Sequence, residues 1–322
     1  MRRRRFLALS LAAVVPVLRA QPKVARIAYL SPLSADSDAA YLAAFRQGMK
    51  EHGYTEPSAI VIDVRYAEGK LERLRALAAE LARAKPDVFV VYAADAVTAA
   101  LAATPNVPIV ISNTQDPVAS GLVKSLARPG GRITGMSDFH AASTTKRLEI
   151  LKETLPGLKR LAVFWRSGNA PHAPQMKDLA RVAPRLDIAL LPFEINRPEE
   201  IAPAFEAMRA QRAGALLMLG ESVLTANMKP IIEMSVKSGI PSMYTAPLYA
   251  ELGGILSYGA DIADLCRRSA GHVDKILKGA KPGDLPIEQP TKFDLVVNLR
   301  TARKMGIAIP RSILLRADRV IE

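Results

Sequence analysis

Short apolar runs alternate with helical segments along most of the chain, and this alternation restricts the fold more than any other feature of the sequence. Val24–Ser31, Ile60–Tyr66 and Asp87–Tyr92 are apolar or rich in β-branched residues, as strands of a buried sheet are. Ala39–His52 and Leu71–Ala84, which lie between them, have helical spacing of their apolar residues. Strand–helix units of about thirty residues are typical of parallel sheets, so the sequence predicts an α/β fold.

The alternation restarts once, which predicts two lobes. The apolar run Arg160–Trp165 is similar to the opening strand, and further strands and helices follow it. A chain of 322 residues is also longer than one core usually covers. We therefore expect two doubly wound parallel-sheet lobes joined by a three-stranded hinge. The predicted bounds are 24–130 plus 259–282 for lobe one, 138–250 plus 289–322 for lobe two, and 131–137, 251–258 and 283–288 for the hinge.

Residues 1–20 have the pattern of a secretory signal peptide. Arg2–Arg5 form a basic region, an apolar stretch follows from Phe6 to Leu18, and Ala20 stands at a plausible cleavage edge. The apolar stretch is shorter than the roughly twenty residues that a membrane-spanning helix needs. We expect export to the periplasm by the Sec or the twin-arginine route, and an uncleaved N-terminal anchor is the alternative.

The basic charge balance does not indicate nucleic-acid binding. The chain has 44 Lys and Arg against 31 Asp and Glu, and five of the arginines lie in the predicted signal peptide. Without those five the balance is 39 against 31, and the remaining positive charges are spread over many segments. Cys266 is the single cysteine and the four histidines are scattered, so the sequence predicts no metal site and no cofactor.

Ligands of doubly wound sheets bind beyond the carboxyl ends of the strands, and two facing lobes place that site in the cleft between them. The candidate ligand-binding residues at strand ends and crossings are Ser31, Asp95, Asn113, Asp116, Ser137, Trp165, Glu221 and Tyr258.

Six of the eight candidates have a structural alternative. Asp95 and Asp116 each have two possible roles, to bind an ammonium group in the cleft or to cap a helix. Ser31 and Ser137 offer a hydroxyl to a ligand or to a turn. Trp165 and Tyr258 stack on a flat ligand or pack in the core or hinge.

The stretch Gln115–Gly135, QDPVASGLVKSLARPGGRITG, is the most informative for function. Other characteristic segments are FRQGMKEHGY at 45–54, KRLEILKETLPGLKRLAVFW at 146–165 and IPRSILLRADRVIE at 309–322. Together they resemble the ABC transporter substrate-binding protein family related to tryptophan- and tyrosine-binding transport components. That family has the type I periplasmic binding protein fold, and the resemblance covers nearly the whole chain after the predicted signal peptide.

The resemblance implies a monomeric receptor, not an enzyme, that delivers a small solute to a membrane permease and its ATPase. The solute is expected to be an amino acid or a related carboxylate. A receptor that reports to a signalling partner is the alternative, and a hydrolase is the weaker one, because the sequence has no GxSxG motif. One departure from the family lies at Tyr92–Ala96, where the usual Gly/Thr-Pro-Ala turn is replaced and Asp95 adds a negative charge.

Overall fold

The computed structural model describes residues 24–138 and 143–322. The predicted signal peptide at 1–20 and four residues of predicted lobe two, 139–142, lie outside the described residues. Within the described ranges, no helix combines the length and the apolar character needed to cross a membrane.

The first half of the chain forms a five-stranded sheet in which all neighbouring strands are parallel. Its order is β2-β1-β3-β4-β5. The strands are β1 (Ala25–Ser31), β2 (Ile60–Tyr66), β3 (Val88–Tyr92), β4 (Ile109–Asn113) and β5 (Ile133–Gly135). Every residue of β3 and β4 is buried, which is why these strands are continuous apolar runs in the sequence.

The second half forms a seven-stranded sheet with the order β12-β11-β10-β9-β8-β6-β7. Its strands are β6 (Arg160–Trp165), β7 (Ala189–Glu194), β8 (Ala215–Met218), β9 (Ser242–Tyr244), β10 (Leu256–Gly259), β11 (Asp294–Asn298) and β12 (Arg319–Ile321). The two predicted doubly wound sheets are confirmed, with one difference: β11 runs antiparallel to β10.

Helices cover both sheets. They are α1 (Ala35–Glu51), α2 (Leu74–Arg83), α3 (Ala93–Ala103), α4 (Ser143–Thr154), α5 (His172–Val182), α6 (Ile201–Ala210), α7 (Ser222–Ala226), α8 (Met228–Ser238), α9 (Pro247–Glu251), α10 (Ile262–Leu277), α11 (Leu299–Lys304) and α12 (Arg311–Arg316). Ser34 caps α1 in a capping box with Ser37, and Asp261 caps α10 by accepting a hydrogen bond from the Asp264 amide at 3.1 Å.

Helix α10 returns from the second half of the chain and packs against α1. A Cβ atom at Gly48 would lie 2.1 Å from the Arg267 carbonyl oxygen, so glycine allows the two helix backbones to approach. The apolar side chains of α10, Ala270, Val273 and Ile276, join the core beneath β1. We call the five-stranded sheet with α1–α3 and α10 lobe one, and the seven-stranded sheet with the other helices lobe two.

The chain passes between the lobes three times. The first passage follows β5, where Met136 forms a bridge with Glu288 of the third passage. The second follows Gly259, because β10 pairs with β9 and β11 in lobe two. This places the second passage after the 251–258 range expected from the sequence.

The two lobes share an apolar cluster as well as these passages. Leu33, Tyr41 and Tyr92 of lobe one pack in the same buried cluster as Phe164 and Met218 of lobe two. The cluster holds the carboxyl ends of β3 and β6 against each other, and the site lies there.

Candidate functional site

A cavity of about 180 Å³ lies between the lobes at the carboxyl ends of their strands. A smaller extension of about 30 Å³ shares Gln115 and Asp138 with the cavity and is lined in addition by Arg147 and Gln175. The site is therefore an interlobe cleft with a narrow polar end, as expected for two facing α/β lobes.

Tyrosines form the apolar walls of the cavity. Tyr41 and Tyr92 of lobe one stack with their ring centroids 5.6 Å apart. Tyr249 of lobe two stacks on Tyr244 at 5.0 Å and donates a hydrogen bond from its hydroxyl to Thr225 Oγ1 at 3.0 Å. These contacts fix the orientation of the aromatic rings that line the cavity.

Three of the eight residues predicted from the sequence line the cavity: Asp95, Asn113 and Glu221. The Asn113 side-chain amide donates to the Tyr92 hydroxyl at 3.4 Å, and its carbonyl oxygen is buried without a hydrogen-bond partner among the described residues.

The sequence left open whether Asp95 binds a ligand or caps a helix, and the structure shows that it does not cap. Helix α3 begins at Ala93, so Asp95 lies in its first turn and not at the cap position before it. Its Oδ2 accepts a hydrogen bond from Arg166 Nη2 of lobe two at 2.8 Å. Burial raises the pKa of the Asp95 carboxyl, and the charge of Arg166 opposes this shift.

Glu221 is buried at the start of α7. Its Oε1 lies 2.9 Å from Arg166 Nε, and its Oε2 accepts a hydrogen bond from Asn169 Nδ2 at 2.8 Å. Arg166 thus contacts one carboxylate in each lobe.

The other five predicted residues do not line the cavity. The buried Ser31 hydroxyl donates a hydrogen bond to Asp38, and the Ser137 hydroxyl donates to the Gln115 carbonyl. Asp116 accepts hydrogen bonds from the backbone amides of Val118 and Ala119 in a turn. Trp165 packs against the apolar cluster of lobe two, and Tyr258 lies against Phe293 in the same lobe. These contacts correspond to the turn, capping and packing roles that the sequence had left open for the five residues.

Several residues of the cleft were not among the eight. Arg166 follows the predicted strand Arg160–Trp165, and Gln115 and Asp138 come shortly after β4 and β5. The strand-end rule therefore locates all three residues without distinguishing them from their neighbours. Arg147 and Tyr249 lie on helices, where nothing in the sequence marks them.

Gln115 connects the lobes through neutral groups. Its side-chain oxygen accepts from Gln175 Nε2 at 3.1 Å, and its side-chain nitrogen donates to the Gly220 carbonyl. The His172 ring supports the same region: Nδ1 accepts from the Arg166 amide at 3.0 Å, so Nε2 carries the proton that is donated to the Gly220 oxygen at 2.8 Å. Burial lowers the pKa of His172, in agreement with a neutral ring.

Asp138 and Arg147 carry opposite charges at the narrow end of the site. Burial raises the pKa of Asp138 to about 6, while Asn113 and Arg147 favour its charged form. Burial lowers the pKa of Arg147 to about 10, and the guanidinium donates to Thr144 Oγ1 at 2.9 Å. Asp138 Oδ1 and Arg147 Nε are both shielded from solvent without a hydrogen-bond partner in the described ranges.

No group of three or more His, Cys, Asp or Glu side chains within 24–138 and 143–322 is arranged to hold a metal ion. The side chains that line the cleft include hydrogen-bonding, charged and aromatic groups.

Comparison with known proteins defines the class. The chain matches the family of ABC transporter substrate binding proteins over residues 26–321, and it belongs to that family. A conserved domain protein from Vibrio cholerae is 28% identical and superposes with a TM-score of 0.84 over 92% of this chain and 100% of that one. An ABC domain from Streptococcus pneumoniae, solved in complex with L-Trp, is 26% identical with a TM-score of 0.83 over 93% and 100% of the two chains. The tyrosine-binding protein of Clostridioides difficile is 23% identical over 82% of this chain and 75% of its own length.

Proposed function

We propose that this protein is the exported solute receptor of an ABC uptake system and that it binds a zwitterionic amino acid with a flat aromatic side chain. The observation that carries this proposal is the Asp138 and Arg147 pair at the narrow end of a cavity walled by tyrosines. Membership of the family supports the receptor role, and the ligands that two relatives are named for belong to the same chemical class.

The narrow end has the two charges that an α-amino acid requires. Asp138 is placed to accept hydrogen bonds from the ammonium group, and Arg147 is placed to donate to the carboxylate. Asp138 and Arg147 both line the narrow extension and are largely withdrawn from water, so pairing with a solute there offsets part of the cost of burying their charges. Hydrogen bonds between charged groups are stronger than neutral ones, so these two contacts supply affinity as well as orientation.

The wider part of the cavity fits the side chain of such a solute. Tyr92 comes from lobe one and Tyr249 from lobe two, so an aromatic ring between them contacts both lobes at once. Aromatic pairs prefer offset-stacked or edge-to-face arrangements, which are worth about 0.5–1.5 kcal/mol beyond area burial.

The charge balance of the site indicates which solutes it disfavours. The cavity and its extension are lined by three carboxylates, Asp95, Asp138 and Glu221, and by two guanidinium groups, Arg147 and Arg166. With Asp138 charged, this leaves one excess negative charge before a solute binds. An ammonium group is therefore favoured, and a second carboxylate on the solute is disfavoured.

A thermal-shift and calorimetry screen tests the proposal with matched solutes. L-Trp, L-Tyr and L-Phe carry both charges, tryptamine lacks the carboxylate, and indole-3-propionate lacks the ammonium group. A solute at 100 times its Kd adds about 2.7 kcal/mol to stability, so an amino acid that fits should raise the melting temperature by several degrees. Equal shifts with tryptamine or indole-3-propionate would contradict the assigned charges, and no shift with any aromatic amino acid would contradict the solute class.

Delivery to a permease and its ATPase completes the proposed role, with the receptor acting as a monomer. Export depends on residues 1–20 and places the protein in the periplasm. The receptor is proposed to release its solute unchanged, so recovery of a chemically altered solute after incubation would indicate an enzyme instead.

A further inference from the structure

Arg166 forms a charged contact between the lobes inside the cavity. Its Nη2 donates to Asp95 of lobe one at 2.8 Å, and its Nε lies 2.9 Å from Glu221 of its own lobe. The Arg166 side chain is 12% exposed and the Glu221 side chain is fully buried, whereas the Asp95 side chain is 31% exposed. Of the three, Asp95 is the group that water reaches most readily.

The partners of Arg166 differ in what happens to them when the lobes separate. Glu221 and Arg166 lie on the same lobe and stay paired, and Asn169 holds the second oxygen of Glu221. Asp95 moves away with lobe one and exchanges its guanidinium partner for water. Disruption of a buried ion pair is usually unfavourable because it leaves one buried charge without a partner. Here Arg166 keeps Glu221, so breaking the Asp95 contact leaves no unpaired charge on lobe two.

We propose that the Asp95–Arg166 contact is an interlobe latch, with Asp95 as a positioning residue that stabilises the closed cleft and so prolongs the residence of the solute. The latch is separate from the two groups that we propose to bind the charged ends of the solute, Asp138 and Arg147, which line the narrow end. This inference goes beyond the proposed function. It takes from that function only one assumption, that the lobes open and close about the three passages.

A second charged contact between the lobes provides a matched control. Lys229 of α8 lies 2.7 Å from Asp36 of α1, but these side chains are 46% and 67% exposed and neither lines the interlobe cavity. Exposed pairs of this kind contribute little, whereas a charge-assisted hydrogen bond in a partly buried site contributes more. The two contacts thus share their chemistry and their position between lobes, and they differ in burial.

Disulfide trapping measures closure without any solute. A Cβ atom at Gly69 of lobe one would lie 3.2 Å from the Cβ atom of Ala226 in α7, slightly under the usual range of about 3.5–4.5 Å for a disulfide. Gly69→Cys with Ala226→Cys is therefore expected to form a disulfide only while the lobes are together. Gly69 has φ of +73°, so the cysteine is strained there, but the strain is the same in every variant. Cys266 is fully buried and does not compete.

The rate of trapping under a mild oxidant reports the closed fraction when the lobes open and close faster than the thiols oxidise. In this double-cysteine background, Asp95→Asn is expected to slow trapping by about threefold to tenfold. Asp36→Asn is expected to slow it by about twofold or less. The melting temperatures of the reduced variants should agree, since Asn keeps the size of Asp and Arg166 keeps Glu221.

Three results would overturn the latch: trapping of the Asp95→Asn variant as fast as that of its double-cysteine parent, equal slowing by Asp36→Asn, or no trapping at all in the parent. None of the three depends on the solute screen. A failed screen with slowed trapping would refute the solute class alone, and a successful screen with unchanged trapping would refute the latch alone.

Discussion

The pH dependence of solute binding tests the assignment of Asp138 most directly. The pKa of its carboxyl is raised to about 6 by burial, so the group changes charge in a range where the solute does not. The α-carboxyl and α-amino groups of an amino acid titrate outside pH 5–7. The perturbation is therefore a change of pH from 7 to 5, with Asp138→Asn as the control variant.

The sign and the size follow from the charge that binding requires. An ammonium group pairs with the ionised carboxyl, so binding is strongest above the pKa of the free protein and weakens as pH falls through it. With a pKa of about 6, about nine-tenths of the protein has Asp138 ionised at pH 7 and about one-tenth at pH 5. Because affinity scales with the competent fraction, Kd should rise about tenfold between these two values.

Isothermal titration calorimetry at pH 5, 6, 7 and 8, at constant ionic strength, measures this dependence. The Asp138→Asn variant keeps the size of the side chain and should bind weakly with the same Kd at every pH. A wild-type Kd that is equal at pH 5 and 7 would refute the role of Asp138. A slope that persists in Asp138→Asn would assign the titration to another group, such as the buried His172 beside Gly220.

Two further predictions concern the backbone of the cleft and the N-terminal segment. Ala93 has φ of +65°, a left-handed conformation that costs a residue with a Cβ atom about 1–2 kcal/mol. Ala93→Gly should therefore raise the free energy of unfolding by about 1 kcal/mol in urea titrations. The control Ala94→Gly, in the first turn of α3, should lower it. Protein recovered from the periplasm should have its mature N-terminus near Gln21 by mass spectrometry, and recovery of the chain from Met1 only in the cytosol would contradict export.

The strands were predictable because burial on both faces leaves a continuous apolar run. Ile60–Tyr66 and Arg160–Trp165 match β2 and β6 at both ends, and the run at Asp87–Tyr92 matches β3 to within one residue. The direction of β11 was not predictable from such runs. The direction of β11 depends on the point at which the third passage returns the chain to lobe two. An antiparallel strand buried in this sheet has the same apolar composition as its parallel neighbours, so composition does not reveal its direction.

The site was predictable as a region and much less so as a set of side chains. The strand-end rule selects the correct edge of each sheet, but which side chain faces the cleft depends on tertiary contacts. At the end of β6, Trp165 packs into lobe two and Arg166 lines the cavity. At Asp95 the capping alternative fails for a local reason: the left-handed conformation of Ala93 lets α3 begin directly after β3, so the aspartate falls in the first turn instead of at the cap.

The structure gives the departure at Tyr92–Ala96 a physical consequence. An added carboxylate at the start of α3 would be expected to change which charges the pocket accepts, but Arg166 already occupies Asp95. The charged side chains that line the narrow end, Asp138 and Arg147, lie outside the departure. If both proposals hold, a change at residue 95 alters how firmly the lobes stay together, and a change at 138 or 147 alters which solute they enclose. Recognition and closure are assigned to separate residue pairs, so a variant of one pair can be used to measure the other.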